Sequence, residues 1–342
     1  MAGKWKWGFA LIAGIWAAFL GIGIGKGWNY AQSQAAEQTE EIWTAEEESS
    51  GKEEERKKKG SWTIAVFGVD SRDGQLDRGT RSDMEMVCSV NLDTGRIRLV
   101  SIYRDTYARI GENNQYDKIN QAYFLGGPKR AVQVLEENLD LEIDDYIAFD
   151  WKTVAEAINI LGGVDVDISQ EEFQVINGFI TETVESTGIG SVHLAEPGFN
   201  HLDGVQAVAY GRLRKMDTDF ARTKRQRLVA QLIFEKAKKA DYKTLAAAAA
   251  KVLSQVSTSL GVQDGLNLVA GAEDFFLDQM EGFPFILEDK IVGKKDCVIP
   301  VTLEENVIRL HQFLYDKEDY QPSDEVKEIS REIMLRTRTG SE

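Results

Sequence analysis

The chemistry of this chain concentrates between Arg212 and Arg227, where seven basic and two acidic residues leave a local charge of +5 in a chain whose net charge is −16. A basic cluster in so acidic a chain points to an anion. Asp219 or Thr218 can cap a helix that starts near Phe220. On that helix Arg222, Arg225, Gln226, Val229, Leu232, Ile233 and Lys236 share one stripe, whereas Lys224 and Arg227 point elsewhere. The apolar part of the stripe must face a core, so Arg222, Arg225 and Gln226 continue a core-facing surface. Just upstream, Arg212 and Arg214 alternate around Leu213, and an extended backbone would put both guanidiniums on one side. Inward arginines at a helix N-terminus suit phosphate. The bland alternative is a set of Arg–carboxylate bridges on a solvated helix.

A second group consists of carboxylates in loops at strand ends. Asp70 and Asp83 bracket a polar loop that also contains Asp73 and Asp77. One or two carboxylates, completed by substrate phosphate oxygens, are a usual way to hold Mg²⁺. Arg104 and Asp105 follow another strand end. Carboxylates, an Arg-Asp pair and inward arginines together are the parts needed for phosphoryl transfer. No Gly-x-x-x-x-Gly-Lys loop is present, so a nucleotide is not the obvious donor.

The elements that must position these groups read as follows. Thr63–Phe67, Met84–Val90 and Arg96–Ile102 are strands, the last two joined as a hairpin. A helix over Lys118–Leu125 stops at Gly126-Gly-Pro128, and Ala131–Leu139 forms another. Tyr146–Phe149 is a strand, Trp151–Leu161 a helix and Val164–Ile168 a strand. Residues 171–200 read as irregular, and Asp203 with Gln206 has the spacing of a capping box. Helices over Tyr242–Ser257, Gly265–Met280 and Glu304–Tyr315 and a strand over Asp296–Val301 complete the pattern. Interleaved strands and helices with hairpins among them predict a mixed sheet covered by helices.

The N-terminus carries a different signal. Residues 1–6 are short and basic, and residues 7–25 form an uncharged, mostly apolar run long enough to cross a bilayer. Lys4 and Lys6 before it predict a cytoplasmic N-terminus, with tryptophans near both ends of the span. A cleaved signal peptide is the rival reading, but the small residues Ala31, Ser33 and Ala35 lie well past the run. Residues 26–60 read as a charged stalk, residues 61–318 as an extracytoplasmic domain and residues 319–342 as a C-terminal tail. Cys88 and Cys297 make no disulfide framework, and two separately buried thiols are the default. His193, His201 and His311 lack metal-ligand spacing. Overall acidity and outward topology argue against nucleic acid as a partner.

Several ordered motifs then resemble the LytR-CpsA-Psr family. They are Gly68-Val-Asp-Ser-Arg72, Arg81-Ser-Asp83, Ser101-Ile-Tyr-Arg-Asp-Thr106, Lys118-Ile-Asn-Gln-Ala-Tyr123, Gly162-Gly-Val-Asp165 and Asp217-Thr-Asp-Phe-Ala-Arg-Thr-Lys-Arg-Gln226. The resemblance runs over roughly residues 62–230 and more weakly to about 318. It implies an α/β/α sandwich with a central mixed, largely antiparallel sheet, preceded by one N-terminal transmembrane helix, with an apolar tunnel for lipid. It also implies a Mg²⁺-dependent, membrane-anchored enzyme of the outer face of a Gram-positive envelope. Such enzymes move an anionic glycopolymer, of the wall teichoic acid or capsule type, from polyprenyl pyrophosphate to peptidoglycan as a phosphodiester. Asp70 and Asp83 match the metal-binding carboxylates. Arg104, Arg212, Arg214, Arg222 and Gln226 match the pyrophosphate-binding set, and Arg81 and Arg225 are further candidates for it. Asp105 is the candidate base, with holding Arg104 as its alternative role. Two positions depart from the family pattern: Tyr103 stands where proline is common and Met84 where a hydroxyl residue is common. A polyprenyl-pyrophosphate hydrolase and a non-catalytic glycolipid-binding module remain alternatives.

Overall fold

The computed structural model describes residues 60–71, 74–111, 114–214, 219–261 and 275–338. The expected transmembrane run and stalk, with Arg72, Asp73, Asp217 and Thr218, lie outside the described residues. Among the described residues, no helix is long and apolar enough to cross a membrane.

Strand β1, Ser61–Val69, is apolar on both sides and buried along nearly all its length, as a central strand must be. It pairs antiparallel with β2, Ser82–Asn91, which pairs antiparallel with β3, Arg96–Ile102. On its other side β1 runs parallel to β6, Asp145–Asp150. Strand β9, Ser257–Thr258, closes that edge antiparallel to β6, and β10, Phe276–Phe283, closes the other parallel to β3. The sheet is therefore six-stranded and mixed, in the order β10-β3-β2-β1-β6-β9. Two-stranded ribbons flank it: β4, Tyr107–Gly111, with β5, Gln115–Lys118; β7, Val164–Ile168, with β8, Gly198–Leu202; and β11, Leu287–Val292, with β12, Lys295–Pro300.

The sheet's register assembles the site. Val69 pairs with Ser82 and Gly68 with Met84, so Asp83 is the extra residue of a bulge in β2 and lies at the same end of the sheet as Asp70, which follows β1. Val69 also pairs with Asp150, so Trp151 emerges at the same end. Ile102 pairs with Glu85, and Arg104 follows two residues later.

Helices cover both faces. Helix α1, Gln121–Leu139, α7, Leu303–Tyr315, and α8, Asp324–Arg338, pack on the face that carries Ala65, Phe67, Val69, Val87 and Val100. The opposite face carries Ile64, Val66, Met86, Cys88, Leu99 and Ile147. Above it lie α2, Trp151–Ile160, α4, Gly204–Arg212, α5, Asp219–Lys239, and α6, Tyr242–Leu253. Helix α3, Gln170–Thr187, packs outside these against α4. Close approach of α2 and α4 depends on Gly204: a Cβ there would meet the Ala155 carbonyl oxygen at 1.9 Å.

The structure corrects several sequence expectations. Residues 171–200 are largely helical, because Ser169 and Glu172 form a reciprocal capping box and Gly188 ends α3 in a left-handed cap. Of the helix expected over Gly265–Met280, the described part is strand β10, held by its pairing to β3. Lys118 closes strand β5, so helix α1 begins at Gln121, and it passes through a kink at Gly126 and Gly127. Helix α6 stops at Leu253, short of the expected Ser257, which belongs to β9. The expected tail contains α8, whose Val326, Ile329 and Ile333 are buried in the core. Cys88 and Cys297 are both free and buried, in separate core clusters on opposite faces.

Candidate active site

Helix α5 carries its arginines inward as its stripe requires: Arg222, Arg225 and Gln226 are buried beside Val229, whereas Lys224 is exposed. Arg212 is the last residue of α4 and Arg214 follows the Leu213 cap, so a helix end rather than an extended run presents them. Both still reach the strand-end carboxylates. Arg214 Nη2 donates to Asp83 Oδ1 at 2.9 Å, and Arg212 Nη2 lies 3.5 Å from Asp70 Oδ2. Thr183 of α3 holds the other Arg212 nitrogen at 3.0 Å. Arg104 donates through Nη1 to the same Asp83 oxygen, and Gln226 Nε2 approaches the Asp83 carbonyl oxygen at 3.5 Å.

Together Asp70, Asp83, Arg212, Arg214, Arg222 and Gln226, with Trp151 and Phe179, line a polar pocket of about 480 Å³ including its open mouth. Its polar groups are incompletely satisfied. Arg222 is 1% exposed, yet its Nε and Nη1 have no hydrogen-bond partner. Trp151 Nε1 and Asp70 Oδ1 are likewise buried and unpartnered. Buried polar atoms without partners are costly, which marks the pocket as built for something with its own acceptors and charge. Burial pushes the Arg222 guanidinium down to about 10, against the pull of Asp219. At Asp83 burial acts to raise the carboxyl, but the guanidiniums of Arg214, Arg104 and Arg222 outweigh it and hold it below the ordinary range.

Two expected members face elsewhere. Arg225 Nε donates to Glu172 at 2.8 Å and Nη1 to the Leu213 carbonyl at 3.2 Å, tying α5 to α3 and to the end of α4. It does not line the polar pocket. Arg81 lies with Arg104 in a neighbouring basin, where the Gln121 amide oxygen, oriented toward it, accepts from Nε and Nη2 at 2.7 and 3.0 Å. Asp105 faces that basin too, with Oδ1 3.0 Å from Lys118 Nζ and Oδ2 3.9 Å from Arg104 Nε.

Asp219 has a role that its sequence position, a helix start, did not disclose. It pairs with Arg222 and lies 3.6 Å from Arg104 Nε, so it ties the two arginines together. Burial pushes its carboxyl up, partly opposed by Arg222 and Arg104. Glu182 of α3, also unforeseen, lines the polar pocket.

Trp151 and Gln226 belong to a second cavity as well. This one is apolar, about 1310 Å³ including its open mouth, and runs between the sheet and helices α2, α4, α5 and α6. Ile64, Val66, Met86, Leu99, Val208 and Ile233 are among its walls. Both departures from the family pattern have local explanations. Met84 adds apolar wall to this groove. Tyr103 packs edge-on against Phe220 at 4.6 Å and fits because residue 282 is glycine, where a Cβ would lie 2.1 Å from the Tyr103 hydroxyl.

Asp70 and Asp83 suit a divalent cation in one respect: Asp70 Oδ1 is a buried acceptor with nothing to accept from. Among the described residues no cluster of three or more His, Cys, Asp or Glu has metal-binding geometry, so other ligands would have to come from substrate or water.

Comparison with known proteins agrees with this architecture. The polyisoprenyl-teichoic acid–peptidoglycan teichoic acid transferase TagT of Bacillus subtilis is 30% identical over 239 residues, 68% of this chain and 71% of that protein. Curated relatives are matched over 43% to 71% of their own length. TagT bound to LIIa-WTA superposes with a TM-score of 0.56 at 22% identity, over 82% of this chain and 92% of that one. The TagT structure with bound octaprenyl pyrophosphate lipid gives 0.50 at 21% identity over the same shares. The profile of the LytR_cpsA_psr family matches residues 27–302, and this chain belongs to that family.

Proposed function

We propose that this protein is a membrane-anchored phosphotransferase that moves an anionic glycopolymer from a polyprenyl pyrophosphate to peptidoglycan. One observation carries the reading: an apolar groove opens onto a pocket whose buried arginine and tryptophan donors are unpartnered. That pairing suits an amphiphile with a long hydrocarbon chain and a pyrophosphate head. Each buried CH₂ of such a chain contributes roughly 0.8 kcal/mol. The names of the relatives, and the lipid and teichoic acid ligands of the TagT structures, support the substrate class.

In the proposed reaction a sugar hydroxyl, the C6 hydroxyl of N-acetylmuramic acid, forms a bond to the phosphorus that carries the polymer. The bond from that phosphorus to the bridging oxygen breaks, and polyprenyl phosphate leaves. Arg222, which is buried, and Arg212 and Arg214, nearer the solvent, meet the charge that grows on the phosphoryl oxygens. Asp219 and Asp83 hold Arg104 and Arg214 in orientation. Asp105 is the proposed acceptor of the hydroxyl proton. Mg²⁺ on Asp70 and Asp83 would supply Lewis-acid stabilisation of the phosphate oxygens. Residues 7–25 would anchor the chain with the domain outside the membrane, consistent with Lys4 and Lys6 on the N-terminal side.

The test is polymer attachment to a peptidoglycan oligomer by the purified full chain, with lipid-linked polymer as donor and Mg²⁺ present. Attachment is the expected result. Release of polyprenyl phosphate without attachment would replace the transferase by a hydrolase, and binding without turnover by a binding module.

A further inference from the structure

Arg104 separates two cavities of different character. On one side is the arginine-rich pocket. On the other is a basin of about 760 Å³, open solvent at its mouth included, between the end of β5, the start of α1 and the turn of the β11–β12 hairpin. In this basin cations and carboxylates interleave. Lys118 Nζ lies 3.0 Å from Asp105, and Lys295 of the hairpin lies 2.5 Å from Asp117. Arg81 and Lys294 on the same wall leave the lining more cations than carboxylates, so charge alone does not turn a phosphate away. The pairs do set a donor beside an acceptor, and a polyol can use both, since its hydroxyls can donate to one member of a pair and accept from the other.

Asn120 gives the independent observation. It is 3% exposed, lines the basin and occupies the N-cap position of α1, yet its side chain makes no capping bond. Its Oδ1 is buried without a hydrogen-bond partner. An orphaned acceptor needs a donor, and a phosphodiester has none to give. A sugar hydroxyl has one. The basin's wall also holds Arg104, which reaches Asp83, and Asp105. An occupant here would sit next to the phosphoryl pocket, as an attacking alcohol must.

We propose that this basin is the subsite for the acceptor glycan, with Asn120 as a positioning residue that accepts a hydrogen bond from a sugar hydroxyl. The proposal rests on the transferase reading above for the identity of the glycan.

The test measures binding to the full chain in detergent, by calorimetry, of two probes: a peptide-free N-acetylglucosamine–N-acetylmuramic acid tetrasaccharide and farnesyl pyrophosphate. Asn120→Ala should weaken the tetrasaccharide about tenfold, the scale of one lost hydrogen bond to a buried acceptor, and change farnesyl pyrophosphate less than about twofold. Asn120→Asp keeps an acceptor oxygen in place and should retain most tetrasaccharide affinity, which a merely structural role for the amide would not predict. Lys295→Ala, at the exposed start of β12, should weaken the tetrasaccharide by about two- to threefold without touching the core. Equal losses for both probes in Asn120→Ala would assign the basin to the donor and overturn the proposal. So would an unchanged tetrasaccharide affinity, no tetrasaccharide binding by the wild type, or tighter binding of a glycerol phosphate oligomer than of the tetrasaccharide. Loss of tetrasaccharide binding in Asn120→Ala, in a protein that transfers no polymer, would leave the subsite standing and remove only the transferase reading.

Discussion

Along β1, Ala65, Phe67 and Val69 belong to one face of the sheet, and Ile64 and Val66 to the other. The same alternation feeds two unlike interiors. Under α1, α7 and α8 the first face packs into a continuous core around Phe67, Tyr123 and Leu135, all at most 0% exposed. Beneath α2, α4, α5 and α6 the second face leaves the apolar groove open, although its walls are no less apolar. Protein interiors normally fill such space. A groove left open, with unpartnered donors at its mouth, therefore points to a ligand rather than to poor packing. The packed face carries the stability that lets the other face stay hollow.

Filling each face should separate the two roles most sharply. Ala230 lines the groove and Ala131 is 2% exposed in the packed core. Ala230→Trp should remove polyprenyl pyrophosphate binding, by more than about a hundredfold, and leave thermal unfolding nearly unchanged. Ala131→Trp should do the reverse: overpacking typically costs about 1–3 kcal/mol, and so large an insertion should lie at or beyond that upper end. Paired melting curves and binding isotherms check both, and equal destabilisation by the two variants would erase the distinction.

At the groove's mouth, Asp70→Asn and Asp83→Asn should each lower Mg²⁺-dependent transfer by about a hundredfold or more while the chain stays folded. The loss should appear in a Mg²⁺ titration as well as in rate; full activity in both variants would remove the metal assignment. Arg222→Ala should cost about tenfold to a few hundredfold, the equivalent of a charge-assisted hydrogen bond of roughly 1.5–3 kcal/mol. Arg222→Lys should recover only part of this, for want of the planar fork. Among the described residues Arg227 meets the Glu281 carbonyl, at 3.5 Å, and the Tyr103 hydroxyl rather than the carboxylate pair, so Arg227→Ala should cost little. Equal losses at the two arginines in a transfer assay would mean that the cluster acts through net charge alone.

A separate effect, on stability rather than on transfer, concerns Glu85, two residues after Asp83 in β2. It is 2% exposed and accepts a hydrogen bond from Ser82, and burial raises its carboxyl to about 7. A raised carboxyl means the folded state holds its proton longer than the unfolded chain does. Stability should therefore fall as pH rises from about 4.5 to about 7 and level off above, a change on the order of 3 kcal/mol. Glu85→Gln should abolish that fall, so its advantage over the wild type in denaturant melts should be small at pH 5 and largest at pH 8. A constant difference across that range would place the Glu85 cost elsewhere.

Periodicity made the central strands and the inward stripe of α5 legible, because burial on both faces of β1 and on one face of α5 writes itself into residue type. The resemblance supplied the pairing of Asp70 with Asp83, which the Val69–Ser82 register explains. Other features depended on contacts between distant segments. Arg225 shares the stripe of Arg222 but is captured by Glu172, fifty-three residues away. Helix α3 was hidden by its glycine and threonines, although the Ser169–Glu172 capping box was there to be read. The 276–280 stretch looked helical by local pattern and became a strand because β3 offered an edge. Helix α8 was obscured by its charge, since its buried stripe holds three apolar residues, Val326, Ile329 and Ile333, beside the polar Ser330 and Thr337.

A binding series with geranyl, farnesyl and geranylgeranyl pyrophosphate and their monophosphates, measured on the wild type, Ala230→Trp and Arg222→Ala, tests the groove and its mouth most directly. The wild type should bind more tightly with each added isoprene unit and should prefer pyrophosphate to monophosphate. Ala230→Trp should flatten the dependence on chain length, and Arg222→Ala should remove the preference for pyrophosphate while keeping the dependence on length. A chain-length dependence that survives Ala230→Trp, or a wild type indifferent to the second phosphate, would contradict the assignment of groove and mouth.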